Sequence, residues 1–91
     1  YEGRVYRVLG QIYRAAGRLE QSRYVLQGSA ETLERVGNRL ELAHSLYELG
    51  LTLMTLDDAE ARANLQKAAR IFEDLGVTGE LEKVNAVLHQ G

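Results

Sequence analysis

The chain has 91 residues, 45% hydrophobic and 26% charged, with a net charge of −2 at pH 7. These values describe one small globular domain, too apolar to be disordered and too acidic for a general nucleic-acid binder. Cysteine is absent, which excludes disulfides, thiolate metal sites and Cys nucleophiles together.

Proline is also absent, so helices run unbroken and every stop must come from glycine or a capping side chain. Five helices are predicted. The first runs from Glu2 to Ala16, with Val5, Tyr6, Leu9, Ile12, Tyr13 and Ala16 forming an inward stripe at steps of three and four before Gly17. The second runs from Leu19 to Val36, carries Tyr24, Val25, Leu26, Ala30, Leu33 and Val36, and stops at Gly37. Asn38 and Glu41 have capping-box spacing at the head of a third helix, whose stripe is Leu42, Ser45, Leu46, Leu49 and Leu53. Asp57 and Glu60 repeat that spacing and predict the opening of a fourth, with Ala61, Leu65, Ala68, Ala69, Phe72 and Leu75 before Gly76. A shorter fifth helix follows, with Thr78 as its expected N-cap, Glu80 and Glu82 in its first turn, and a stripe of Leu81, Val84 and Leu88. Short connections between helices force antiparallel neighbours.

The first half of the chain returns in the second. Leu9-Gly10 recurs as Leu49-Gly50, Leu26-Gln27 as Leu65-Gln66, Ala30 as Ala69, Glu34 as Glu73, Gly37 as Gly76 and Glu41-Leu42 as Glu80-Leu81. A fixed period is the signature of stacked repeats. The expected class is all-α, an alpha-alpha superhelix of two antiparallel hairpins (1–37 and 38–76) and a capping helix (77–91) in one domain.

These residues resemble the tetratricopeptide repeat. Tyr6, Leu9, Gly10 and Tyr13 fill the first-helix pattern of unit one, and Gly17, Ser22, Leu26 and Ser29 continue it. The same places in unit two hold Leu46, Leu49, Gly50 and Leu53, then Ala61, Leu65 and Ala68. The closing proline is missing, with Glu34 and Asp74 near its place, and the period is about forty residues rather than the usual 34 or so. That longer period resembles the repeats of bacterial signalling ATPases, cyclases and transcription regulators. The resemblance implies an interaction module with no catalysis and no cofactor. It would bind a protein or peptide through its concave face, with no direct nucleic-acid or membrane contact. A role as an oligomerisation segment of a signalling or regulatory protein is the alternative, and a sensor module serving a separate DNA-binding domain is a third.

The first helix of each hairpin lines the concave face in such stacks. Helical geometry then puts Arg4, Arg7, Gln11 and Arg14 there from the first helix. His44, Tyr47, Leu51 and Met54 come from the third and Lys83 from the fifth. The groove would be basic at one end, suiting an acidic group, and apolar in the middle. A carboxylate clamp is disfavoured, because Glu48 would repel a terminal carboxylate.

No other chemistry is legible. His44 and His89 lie on different helices without ligand spacing, so no metal is expected. No glycine-rich phosphate loop exists, and Ser22, Ser29 and Ser45 fall at helix crossings, where smallness matters. No signal peptide or apolar run of membrane-spanning length is present, and a cytoplasmic location is expected. The chain begins at Tyr1 rather than Met and reads as a piece of a longer protein. Two and a half repeats bury little surface. Either further repeats precede Tyr1 in the parent or two copies pack together; Tyr1, Val5, Tyr24 and Val25 supply an apolar N-terminal face for either, and a homodimer or larger self-association is expected of the isolated piece.

Overall fold

The computed structural model describes the backbone of residues 2–90 and the side chains of residues 4–90. It contains helices α1 (Glu2–Ala15), α2 (Leu19–Val36), α3 (Arg39–Thr55), α4 (Ala61–Leu75) and α5 (Thr78–Leu88), and no strand among the described residues. α1 pairs with α2 and α3 with α4, α3 also lies against both helices of the first hairpin, and α5 packs on α4. The result is an all-α stack of helical hairpins measuring 33 × 32 × 19 Å.

One chain geometry closes each of the first four helices. An amide two or three residues past the helix end donates back to a carbonyl five residues earlier: Arg18 to Tyr13 at 2.8 Å, Asn38 to Leu33 at 3.1 Å, Asp58 to Leu53 at 2.8 Å and Val77 to Phe72 at 2.9 Å. This ending needs a left-handed residue. Gly17, Gly37 and Gly76 supply it with φ of 78°, 78° and 72°, and Asp57 supplies it with φ of 58°. The expected helix opening at Asp57 is therefore corrected: Asp57 terminates α3, and α4 starts at Ala61. There the Asp58 carboxylate accepts the Glu60 amide at 2.8 Å. The Thr78 cap is corrected as well, since Thr78 is the first residue of α5 and Val77 precedes it without a side-chain cap. At α3, Asn38 Oδ1 accepts the Glu41 amide at 3.2 Å as expected, while the Glu41 carboxylate meets Arg7 Nη2 at 3.3 Å.

The repeated Leu-Gly pairs set the distance within each hairpin. A Cβ on Gly10 would stand 2.6 Å from Leu26 Cδ2, and one on Gly50 would stand 2.6 Å from Leu65 Cγ. Both leucines are buried, and real Cβ contacts do not come so close. Glycine is thus required by close approach of the paired helix. The core centres on α3, which buries nine residues from Leu42 to Leu53. Its larger part joins Ala30 and Leu33 of α2 to Leu42 and Leu46 of α3, Leu65 and Phe72 of α4, and Val84 of α5.

α1 departs from the reading of its sequence. Leu9 and Tyr13 are half-buried, but Val5, Tyr6 and Ile12, expected to face inward, are exposed, as is Val8. Among the described side chains and glycines of this helix the buried position is Gly10, and the aliphatic stripe looks away from the rest of the stack. Tyr1, expected on that N-terminal face, lies outside the described residues.

Candidate functional site

Eight of the residues expected on the concave face lie along α1 and α3, the first helix of each hairpin, and their environments divide them. In α1 the polar groups are engaged within the chain. Arg7 Nη2 is 3.3 Å from Glu41 Oε1. Gln11 Nε2 donates to Glu48 Oε2 at 2.9 Å, and Arg14 Nη2 donates to Glu48 Oε1 at 2.7 Å. Arg14 Nη1 also donates to the Glu48 carbonyl at 3.1 Å. Arg4 is exposed.

Glu48 is thus the centre of a polar seam between α1 and α3, with only 8% of its surface accessible. Burying a carboxylate is unfavourable unless its oxygens are satisfied, and here both accept charged or amide donors. The seam continues inward. Ser22 of α2 donates to the Gly10 carbonyl at 2.8 Å, and its Oγ lies 2.9 Å from Thr52 Oγ1 of α3. Ser29 and Ser45 meet at 3.5 Å between the same two helices. The serines are fully buried, as their place at helix crossings requires, and they also close a hydrogen-bonded node across three helices. Nothing in the spacing of Glu48 named its partners, which lie 34 and 37 positions away. The available signal was a charged residue between Ser45 and Thr52 on the face that α3 turns to the first hairpin.

On α3 the side chains are less engaged. His44 meets Phe72 edge-on, with ring centroids 5.2 Å apart and planes at 71°. Its Nδ1 lies 3.6 Å from Glu80 Oε2, and Lys83 Nζ lies 3.3 Å from the other Glu80 oxygen. Glu80 is the repeat counterpart of Glu41, so each hairpin's first helix reaches the same acidic position of the next. Burial, then Arg7 and Lys83, hold the His44 pKa below its ordinary 6.5 against the opposing pull of Glu80 and Glu41. Tyr47 and Leu51 are half-buried, Tyr47 against the main core, and Met54 is exposed. Met54 also borders a cavity of 280 Å³ lined by Ala61, Leu65, Val87 and Leu88, with Asp57, Asp58 and Arg62 at its rim. Arg62 Nη1 donates to the Leu88 carbonyl at 3.1 Å and ties the end of α5 to α4.

The site therefore offers shape, an apolar strip and a few charges. No helix among the described residues is long and apolar enough to cross a membrane. Comparison with curated proteins and with solved structures produced no match. A tetratricopeptide repeat family model matches residues 1–74, a span that includes both hairpins up to the last turn of α4. Such repeats are typically interaction modules rather than catalysts. Paired antiparallel helices, the glycine contacts at Gly10 and Gly50 and this match agree: the chain belongs to the tetratricopeptide repeat family.

Proposed function

We propose that the chain is a protein-interaction module that binds a peptide or partner protein on the side of α1, α3 and α5, with Tyr47, Leu51 and Met54 as its apolar anchor. The observation that carries this reading is the contrast between the two helices. Arg7, Gln11 and Arg14 are paired with Glu41 and Glu48 within the chain, whereas their repeat counterparts Tyr47, Leu51 and Met54 remain partly accessible. Binding at the apolar strip removes that surface from water at no loss of internal hydrogen bonds. An acidic group at the arginines would have to displace Glu41 or Glu48 first. Arg4 is exposed, and Lys83 is exposed beside Glu80; these two cations steer such a partner, with His44 between the two regions. Recognition is by shape and a few side-chain anchors, without chemistry and without a cofactor.

The test is a display selection of random peptides on the 91-residue chain, followed by titration of the selected peptides by fluorescence anisotropy. Leu51→Glu and Met54→Glu are expected to weaken binding more than about tenfold, the loss of one buried anchor. Val36→Glu, on the end of α2, is expected to leave it unchanged. Peptides that bind all three variants alike would refute the strip as the site.

A further inference from the structure

α2 and α4, the second helices of their hairpins, both pack on α3, and between them runs a cleft of 220 Å³. Its floor is one face of α3, where Leu42, Leu46, Leu49 and Leu53 follow at steps of four, three and four. Its walls are charged. Glu31 and Glu34 stand with Arg23 on α2, and Asp58 and Glu60 stand with Lys67 on the side of α4. Four carboxylates against two cations give the cleft a charge of −2, equal to the net charge of the whole chain. Both cations are already engaged. Arg23 pairs with Glu20 of its own helix, and Lys67 Nζ crosses the cleft to Glu34 Oε2 at 2.8 Å. Among the described residues the carboxylates of Glu31 and Glu60 meet no cation. Lys67 thus neutralises the Glu34 end. The other end, with Glu31 one turn before Glu34 and Glu60 two turns before Lys67, keeps its negative charge.

We propose that this cleft is a second interaction surface, separate from the strip on α3, and that its occupant is a lysine- or arginine-bearing segment of a partner protein. The chemistry of the walls selects the charge. Carboxylates on opposite walls repel each other, and a cation set between Glu31 and Glu60 removes that repulsion while gaining charge-assisted hydrogen bonds. The floor selects a long side chain. An aliphatic stem lies on the leucines while its charged head stays at the rim, the arrangement that Lys67 already adopts across the same cleft. The volume selects a chain segment over a small molecule, since drug-sized ligands occupy pockets from about 300 Å³ upward. Because α2 and α4 are the second helices and the strip lies on the first, the two surfaces compete for no residue.

Fluorescence anisotropy of a labelled octapeptide of alternating lysine and alanine, titrated with the 91-residue chain at about 50 mM salt to limit screening, tests this. Saturable binding with a Kd on the order of 100 µM is expected, and none for the matched glutamate–alanine peptide. Glu31→Gln and Glu60→Gln should each weaken binding about threefold or more, with an unchanged helical CD signal. Glu73→Gln removes the same charge from an exposed position of α4 outside the cleft and should leave binding unchanged. Lys67→Met releases Glu34 and should tighten it. A peptide with 2,4-diaminobutyrate in place of lysine keeps the charge on a stem two methylenes shorter, and should bind about threefold more weakly. No saturable binding of the lysine peptide up to about 1 mM overturns the proposal. So does an equal effect of Glu60→Gln and Glu73→Gln, weaker binding by Lys67→Met, or equal affinity for the lysine and diaminobutyrate peptides.

Discussion

Arg14 holds Glu48 with both terminal guanidinium nitrogens, Nη2 on the carboxylate at 2.7 Å and Nη1 on the main-chain carbonyl of the same residue at 3.1 Å. One side chain of α1 thus fixes both the rotamer and the backbone of α3. Truncating it as Arg14→Met leaves a buried carboxylate with Gln11 alone. The expected loss is about 1–3 kcal/mol, the penalty for an under-satisfied buried group. The companion Arg14→Met/Glu48→Leu should recover most of that loss, since an apolar pair of similar volume is often no worse than an ion pair. Urea denaturation of the two single variants and the double variant measures the coupling. A double variant as unstable as the sum of the singles would show that the pair is not coupled.

Gly10 and Gly50 invite a test of sign. Alanine is the better helix former by about 1 kcal/mol, so propensity alone predicts that Gly10→Ala and Gly50→Ala stabilise. The contact with Leu26 or Leu65 predicts the opposite, a net loss of about 1–3 kcal/mol from overpacking. Gly28, also in a helix, has nothing within 4 Å of the position of a Cβ, and Gly28→Ala should gain about 0.5–1 kcal/mol. Thermal unfolding of the three variants should therefore rank Gly28→Ala above the wild type and the other two below it.

Asp57 ends α3 in the conformation that glycine adopts at the three equivalent ends. A β-branched residue tolerates that conformation worst. Asp57→Val is expected to lower stability by about 1–2 kcal/mol, and Asp57→Gly to leave it unchanged or raise it slightly. Equal stability of the two variants would mean that the α3–α4 link adapts by another route.

His44 couples the fold to pH. Its folded pKa is lowered, so the native state favours the neutral ring and the unfolded chain binds the proton more readily. Its stabilising effect is complete above the unfolded value of 6.5 and fades as pH falls from there through the lower folded value. Unfolding free energy measured from about pH 7.5 to about pH 5, the range in which histidine titrates, should decline less in His44→Gln than in the wild type. Parallel profiles would assign the decline to other groups.

Much of the fold was legible because its signals are local. Gly37 and Gly76 end helices where their position after an apolar turn says they should, and the recurrence of Leu-Gly announces two hairpins. Misreadings arose where a local signal has two physical causes. Asp57 and Glu60 have capping-box spacing, yet a left-handed Asp closing the previous helix produces the same letters. The stripe of α1 was expected to face inward, but it divides between half-buried Leu9 and Tyr13 and exposed Val5 and Ile12, because periodicity says nothing about what covers a face. The partners of Arg7, Gln11 and Arg14 were illegible for another reason. They depend on how far one hairpin is offset against the next, which no window of sequence contains.

The seam of Glu48, Ser22 and Thr52 has a consequence for how the chain may be rearranged. Were residues 38–76 spliced in tandem, the second Glu48 would face Met54 where Arg14 had been, and Ser45 and Thr52 would face Ala68 and Ala61. A buried acid would then have lost its cationic counterpart. The two units look alike on paper but cannot trade seats, so their order along the gene is enforced by electrostatic matching and not by helix shape.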